Sequence, residues 1–249
     1  MTAREAQVAS RRRIAGAEAW KLADAEYRRM LELILTLGDG DWTRPTDCAA
    51  WDVRAMLGHL VGAVEGWARP IELIHQYRVG AKLLRSGEAG GHLPVDGANA
   101  VQVRDRADAT TADLIARYER ATPGALRWRR RLCWIPVSMQ DDGGRFTMRE
   151  LFEVILTRDT WMHRVDITRA TGREMTLTPE HDGRIVADCV VDWAKKHGRP
   201  FSLVLGGPAG GRFDVGTGAP HVEIDAIEFV RALSGRGVRE EILGTRVVF

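Results

Sequence analysis

Apolar residues recur at three- and four-residue steps up to about Thr176, and short alternating segments set in after it. From about Ser10 to Leu37 the residues Ile14, Ala17, Leu22, Ala25, Met30, Leu31, Ile34 and Leu35 keep the helical step, and Gly38-Asp-Gly40 ends the run. Pro45 holds the next segment extended. A second helix is predicted from near Asp52 to about Tyr77, with Asp52 in its first turn, where negative charge complements the helix dipole. His59 then falls inside a helix. Residues 86–104 contain Gly87, Gly90, Gly91, Pro94 and Gly97 and read as an irregular connection, a lid that could pass over a pocket. Thr110 or Thr111 caps a third helix to about Thr122, where Pro123-Gly124 breaks it. Asp141-Asp-Gly-Gly144 signals a turn. Thr147 and Glu150 then form a capping-box pattern at the head of a fourth helix, which Gly172 stops after Thr171. Leu151, Val154, Ile155, Met162 and Val165 mark its core side.

A further helix is predicted from about Pro179 to Lys196, followed by Phe201–Leu205, Arg212–Val215 and His221–Ile224. Short alternating segments joined by glycine-rich turns are strand pairs. The turn Gly206–Gly211 is a hairpin and not a phosphate loop, because no Gly-Lys-Ser or Gly-Lys-Thr follows and no helix opens from it. A helix over Ala226–Leu233 and a last strand near Val247 complete the pattern. The class is α+β, with a helical region over residues 1–175 and a small α+β region over 176–249. There is no internal repeat or low-complexity tract.

Composition narrows the function without naming it. At 249 residues with 45% hydrophobic content the chain has material for one large core or two smaller ones. Its 36 basic residues nearly cancel 34 acidic ones, so no broad cationic surface for nucleic acid is expected. Cys48, Cys133 and Cys189 are an odd set at wide spacing, without a Cys-x-x-Cys pair, which suits a reducing cytosol. No secretory signal follows Arg11-Arg-Arg13 and no apolar run reaches the length of a membrane span. A soluble, cytoplasmic protein is expected.

The most informative chemistry lies in Asp159 and His163, at i and i+4 of the fourth helix, with His59 upstream. That spacing stacks a carboxylate and an imidazole on one helical face. If the second helix packs beside the fourth, His59 becomes a third ligand to one ion, and three protein ligands leave positions open for water or substrate, as in catalytic zinc. The plainer alternative is a surface pair contributing about 0.2–0.5 kcal/mol, with His59 a hydrogen-bonded core histidine. Arg127, Arg129, Arg130 and Arg131, interleaved with Trp128 and Trp134, read as a solvated arginine face with aromatic packing, or as an anion or sugar contact. His75, His92, His181, His197 and His221 lack a partner pattern and read as surface or loop residues.

Three stretches resemble one family. Asp41-Trp-Thr-Arg-Pro-Thr-Asp-Cys-Ala-Ala-Trp51-Asp-Val-Arg-Ala-Met-Leu-Gly-His59-Leu60 is similar to the opening motif of the mycothiol-dependent maleylpyruvate isomerase family. Arg158-Asp-Thr-Trp-Met-His163-Arg-Val-Asp166-Ile resembles its later helix, where an acidic residue precedes a histidine by four and a His-Arg-x-Asp run follows. Asp225-Ala-Ile-Glu-Phe-Val-Arg-Ala-Leu-Ser-Gly-Arg236 resembles the closing helix and Gly-Arg of the family's smaller domain. The resemblance implies an N-terminal DinB-like four-helix bundle followed by a small sterol-carrier-like domain.

It also implies a divalent metal, usually zinc, on two histidines and one glutamate, which here are His59, His163 and Asp159. The aspartate departs from the family by one methylene, a reach of about 1.5 Å, and is still a competent zinc ligand. The implied partners are mycothiol, as low-molecular-weight thiol, and a small-molecule electrophile. A metal with this donor set lowers the thiol pKa. In the isomerase reaction the thiolate adds to the cis double bond of maleylpyruvate, the bond rotates, and elimination leaves the trans product. Arg236, where the family pattern places an arginine, is the candidate for holding a substrate carboxylate, or else a helix-terminal arginine favoured by the dipole. Asp166 is a candidate hydrogen-bond partner for a ligand histidine, or a salt-bridge partner of Arg164 or Arg169. Two other function classes fit the residues: a DinB-like metal hydrolase, and a non-catalytic small-molecule binder.

Overall fold

The computed structural model describes residues 13–141, 144–217, 220–236 and 246–249, and the fold is mixed α+β. The chain divides into two compact units, one made of Trp20–Val137 with Thr147–Glu174 and the other of the remaining segments.

The first unit is helical. Helix α1 spans Gly16–Ile34, α2 Val53–Ala68, α3 Pro70–Ser86, α4 Pro94–Arg104 and α5 Thr111–Leu132. Met30 and Ile34 of α1, Leu57, Leu60, Val61 and Val64 of α2, and Leu114 and Tyr118 of α5 meet in one core, each set at three- or four-residue steps.

The structure corrects several sequence expectations. The helix predicted over 52–77 is two, because Pro70 opens α3 at its first position and forces Arg69 into extended backbone (φ −137°, ψ 106°). Asp52 precedes α2 as its N-cap, accepting the Ala55 N–H at 2.7 Å. The connection predicted over 86–104 contains α4. Pro94 begins it, and the Asp96 carboxylate accepts the backbone N–H groups of His92 and Leu93 at 2.9 and 2.8 Å. Its Gly97 serves packing rather than looseness, since a Cβ on Gly97 would stand 2.6 Å from the Gly80 carbonyl oxygen. Helix α5 runs through Pro123 to Leu132, with Gly124 packed so closely on Ala68 of α2 that a Cβ there would lie 3.1 Å from the alanine's own. One missing backbone bond is outweighed by that packing. The start predicted at Ser10 lies outside the described residues, as do the middle two of Asp141–Gly144 between β1 (Ser138–Asp141) and β2 (Gly144–Thr147).

The predicted capping box is present: Thr147 Oγ1 accepts the Glu150 N–H at 3.1 Å and the Glu150 carboxylate accepts the Thr147 N–H at 2.8 Å. It heads a short turn, α6 (Met148–Glu150), then a π-helical turn at Leu151–Ile155, then α7 (Leu156–Thr171). Gly172 ends α7 in the left-handed region at φ 70°.

In the second unit α8 (Asp182–His197) precedes β3 (Phe201–Gly206), β4 (Gly211–Val215), β5 (His221–Asp225) and α9 (Ala226–Leu233). The strand order is β4-β3-β5. Strands β3 and β4 form the antiparallel hairpin, with Phe201 opposite Val215, while β5 joins β3 in parallel, with Ser202 opposite His221. Trp193, Phe201, Phe213 and Phe229 are buried in its core. Residues 246–249 form no strand, because Val247 donates to the Leu233 carbonyl at the end of α9 instead of entering a ladder. His181, expected as a surface or loop residue, lies in the turn before α8 but is buried, and His197 stacks on Trp193 at 4.7 Å.

Candidate metal centre

Helix α2 is buried almost all round from Met56 to Gly62, and His59, on the same face as Met56, enters the body of the helical unit. The loop before α2 is tied to itself. Pro45 and Asp52 form an antiparallel bridge, Thr46 Oγ1 donates to the Trp51 carbonyl at 2.8 Å, and the Trp51 N–H donates to the Cys48 carbonyl at 2.8 Å. These bonds lay the Trp51 indole on the His59 ring, with centroids 4.7 Å apart and planes 28° apart.

The opposite wall is α7. In the π turn before it the Phe152 carbonyl accepts two N–H groups of the fully buried Arg129 of α5, at 2.5 and 3.2 Å. Arg129 also donates to Thr157 Oγ1 at 3.0 Å and to Tyr27 Oη at 2.8 Å. Expected on a solvated face, it is an internal clamp where α7 begins, while Arg130 and Arg131 do lie over indole rings, of Trp20 and Trp128.

His59, Asp159 and His163 are brought together, with one ligand atom from each all within 4.8 Å of one another. His163 Nε2 lies 3.3 Å from Asp159 Oδ1 and His59 Nε2 lies 3.9 Å from Asp159 Oδ2. Donors on one tetrahedral zinc, at bonds of about 2.0–2.1 Å, stand about 3.3–3.4 Å apart, so the set needs little adjustment to share an ion. Both His59 nitrogens are buried and have no hydrogen-bond partner. A buried imidazole in that condition is costly unless something else uses its lone pair. His163 is held differently, with Nδ1 3.0 Å from Asp166 Oδ2 and Nε2 turned to Asp159. Arg164 pairs with Glu26 at 2.7 Å and Arg169 with Asp47 at 3.4 Å.

Charge follows this geometry. Burial pushes the His59 pKa down and keeps the ring neutral. Burial would also lower His163, but the Asp159 charge and hydrogen bonds to Asp159 and Asp166 lift it well above the usual value. For Asp159 burial acts upward and is overcome by His163, then by His59, so the carboxyl is held far below its ordinary range. A cation taken up here therefore displaces a proton from His163. Asp159 alone of the three keeps appreciable exposure, 28% of its side chain.

Spacing in the sequence did not reveal the surrounding residues. The Cys48 thiol is 3.8 Å from Asp166 Oδ2, and with Trp51 it lines a cavity of about 280 Å³ bordered by Asp96 and Asn99. Both sit inside the quoted opening motif, but loop residues carry no periodicity to reveal a direction. Tyr118 is fully buried and its hydroxyl has no hydrogen-bond partner; burial, then Tyr27 and Glu26, raise its pKa well above normal and keep it neutral. Arg236 lies in the other unit, just beyond α9, where its backbone N–H donates to the Arg231 carbonyl at 2.8 Å.

Among the described residues no helix is long and apolar enough to cross a membrane. No functionally curated protein matches the chain. A crystal structure of the mycothiol-dependent maleylpyruvate isomerase is similar over 94% of this chain and 93% of that one, with a TM-score of 0.57 and 14% identity. A histidine-to-alanine mutant of the mycothiol-dependent maleylpyruvate isomerase has the same coverage, with a TM-score of 0.56 and 13% identity. At such identity the likeness carries the fold. The model of the family described as mycothiol maleylpyruvate isomerase N-terminal domain matches residues 23–168, more than half of the sequence. With that match laid over the helices that carry His59, Asp159 and His163, the chain belongs to the mycothiol maleylpyruvate isomerase N-terminal domain family.

Proposed function

We propose that this protein is a metal- and mycothiol-dependent enzyme of the maleylpyruvate isomerase type, activating a thiol for attack on a small-molecule electrophile in cis-trans isomerisation or S-transfer. One observation carries the reading: a buried histidine with two unpartnered nitrogens, His59, facing Asp159 and His163 across ligand distances. A divalent cation bound there, zinc by the chemistry of two imidazoles and a carboxylate, supplies positive charge that lowers the pKa of a coordinating thiol.

The chain's own residues prepare that chemistry. Asp166 accepts from His163 Nδ1, which fixes the ring and leaves Nε2 for the cation. Trp51 covers one face of His59 and keeps water off it. Asp159 neutralises one charge and, partly exposed, marks the side from which a thiol enters. Arg236 is our proposed partner for a substrate carboxylate. A cytoplasmic location belongs to the same reading, since Cys48, Cys133 and Cys189 are free thiols, which a reducing compartment preserves.

The test is turnover of maleylpyruvate by the zinc-loaded protein with and without mycothiol. We expect turnover only with the thiol. An equal rate in its absence overturns the thiol-dependent reading in favour of a hydrolase.

A further inference from the structure

We infer that Gln102 is the positioning residue for His59: its side-chain oxygen accepts a hydrogen bond from His59 Nδ1 and so presents Nε2 to the metal, as Asp166 does for His163. This rests on the metal site proposed above. Gln102 is buried on α4, and its Oε1 has no hydrogen-bond partner; nor has either nitrogen of His59. These orphaned atoms belong to neighbouring groups. Gly62 stands one turn along α2 from His59, on the same face, and a Cβ there would come within 2.5 Å of Gln102 Cβ and Cγ. The absence of a side chain at Gly62 lets Gln102 cross α2 at that level, beside the turn that carries His59.

The orientation of the amide is set from a distance. Arg106 Nη2 donates to Glu72 Oε1 at 2.9 Å and to Glu65 Oε2 at 2.5 Å. An ionised carboxylate accepts only, so the Gln76 amide turns its NH2 to Glu72 Oε1, at 2.9 Å, and to the Gly62 carbonyl, at 2.8 Å. Gln76 is left with an oxygen to offer, and Gln102 Nε2 donates to it at 2.9 Å. Gln102 Oε1 is thereby turned away from Gln76 and needs a donor. His59 Nδ1–H is that donor, and Nε2, 3.9 Å from Asp159 Oδ2, keeps its lone pair. A line of amides thus transmits the direction of a buried ion pair to the tautomer of a metal ligand.

Long-range proton-nitrogen NMR of the imidazole rings reads that tautomer in the zinc-free protein, and chelator competition reads zinc affinity. In the parent we expect His59 to carry its proton on Nδ1. Gln102→Met removes the acceptor at nearly constant volume; it should mix the His59 tautomers and weaken zinc about 10–100-fold. Gln102→Glu keeps an acceptor for Nδ1 while giving up the donor to Gln76, and should hold the His59 proton on Nδ1. A parent with the proton on Nε2 overturns the assignment, and so does a Gln102→Met protein with the parent's tautomer and affinity. If Gln102→Met does not fold, the parent tautomer and the Gln102→Glu protein decide. A parent that binds no zinc defeats the metal reading alone, because the tautomer still tests Gln102.

Discussion

Two of the buried polar clusters in the helical unit, around Glu65 and around His59, are built on opposite plans. Around Glu65 each charge meets its opposite: Arg106 pairs with Glu65 and Glu72, and Arg117 donates to both oxygens of Glu65 at 2.9 and 2.7 Å. Such a cluster is closed and fixes the helices that supply it. Around His59 the donor set is incomplete by itself, with the Nε2 lone pair left over and an aspartate 3.3 Å from one imidazole and 3.9 Å from the other. Burial of polar groups is common to both. What separates structure from function is whether the protein completes the bonding or leaves the last partner to come from outside.

The sharpest way to break this comparison is to remove one member from each cluster. His163→Ala deletes a ligand from the open set, and bound zinc should fall from one ion per chain to almost none while the helical circular dichroism of the protein persists. Equal metal content in parent and variant, by plasma emission analysis, would sink the distinction. Arg106→Met removes the central cation of the closed set and leaves Glu65 and Glu72 short of a counter-charge. Breaking a buried pair in this way costs about 3–5 kcal/mol, so the urea midpoint should drop sharply. The folded fraction should still carry one ion per chain at saturating zinc. If instead the stability is unchanged, the Glu65 cluster is not the brace described here.

The same contrast explains what could be read from the chain alone. His59, Asp159 and His163 were legible because helical periodicity gives each a direction, and the motif around them fixes their order. The strand pair across Gly206–Gly211 and the capping box at Thr147 were legible because their signals are local. Arg129 and Gln102 were not. Both are ordinary surface residue types whose burial depends on where α5 and α4 cross other helices, and nothing within a few residues records that. The helix α4 was hidden by glycines that read as loop formers, although Gly97 is required by the approach of α3. At Pro70 the signal was present, since a proline after a polar residue ends one helix and opens the next.

The smallest effect distinguishes the clusters by pH. Burial alone would raise the Glu65 and Glu72 carboxyls, but hydrogen bonds from Arg117 and Arg106 hold Glu65 below its ordinary value, and Gln76 and Arg106 do the same for Glu72. The unfolded chain, with carboxyls near about 4.3, then binds more protons than the folded one in the acid range, so stability rises with pH there. The contribution is fully present above the ordinary carboxylate value and is lost as pH falls through the depressed ones. Urea midpoints of the zinc-free protein should accordingly decline between about pH 5 and about pH 3. Arg117→Met weakens the hold on Glu65 and should make that decline shallower. Because Arg117 is itself partly exposed, at 29% of its side chain, solvent screens its share and the change in slope should be modest, and smaller still at high salt. Identical slopes for parent and variant at low salt would mean that Arg106 alone holds Glu65, and the closed cluster would shrink to a single buried pair with Glu72 attached.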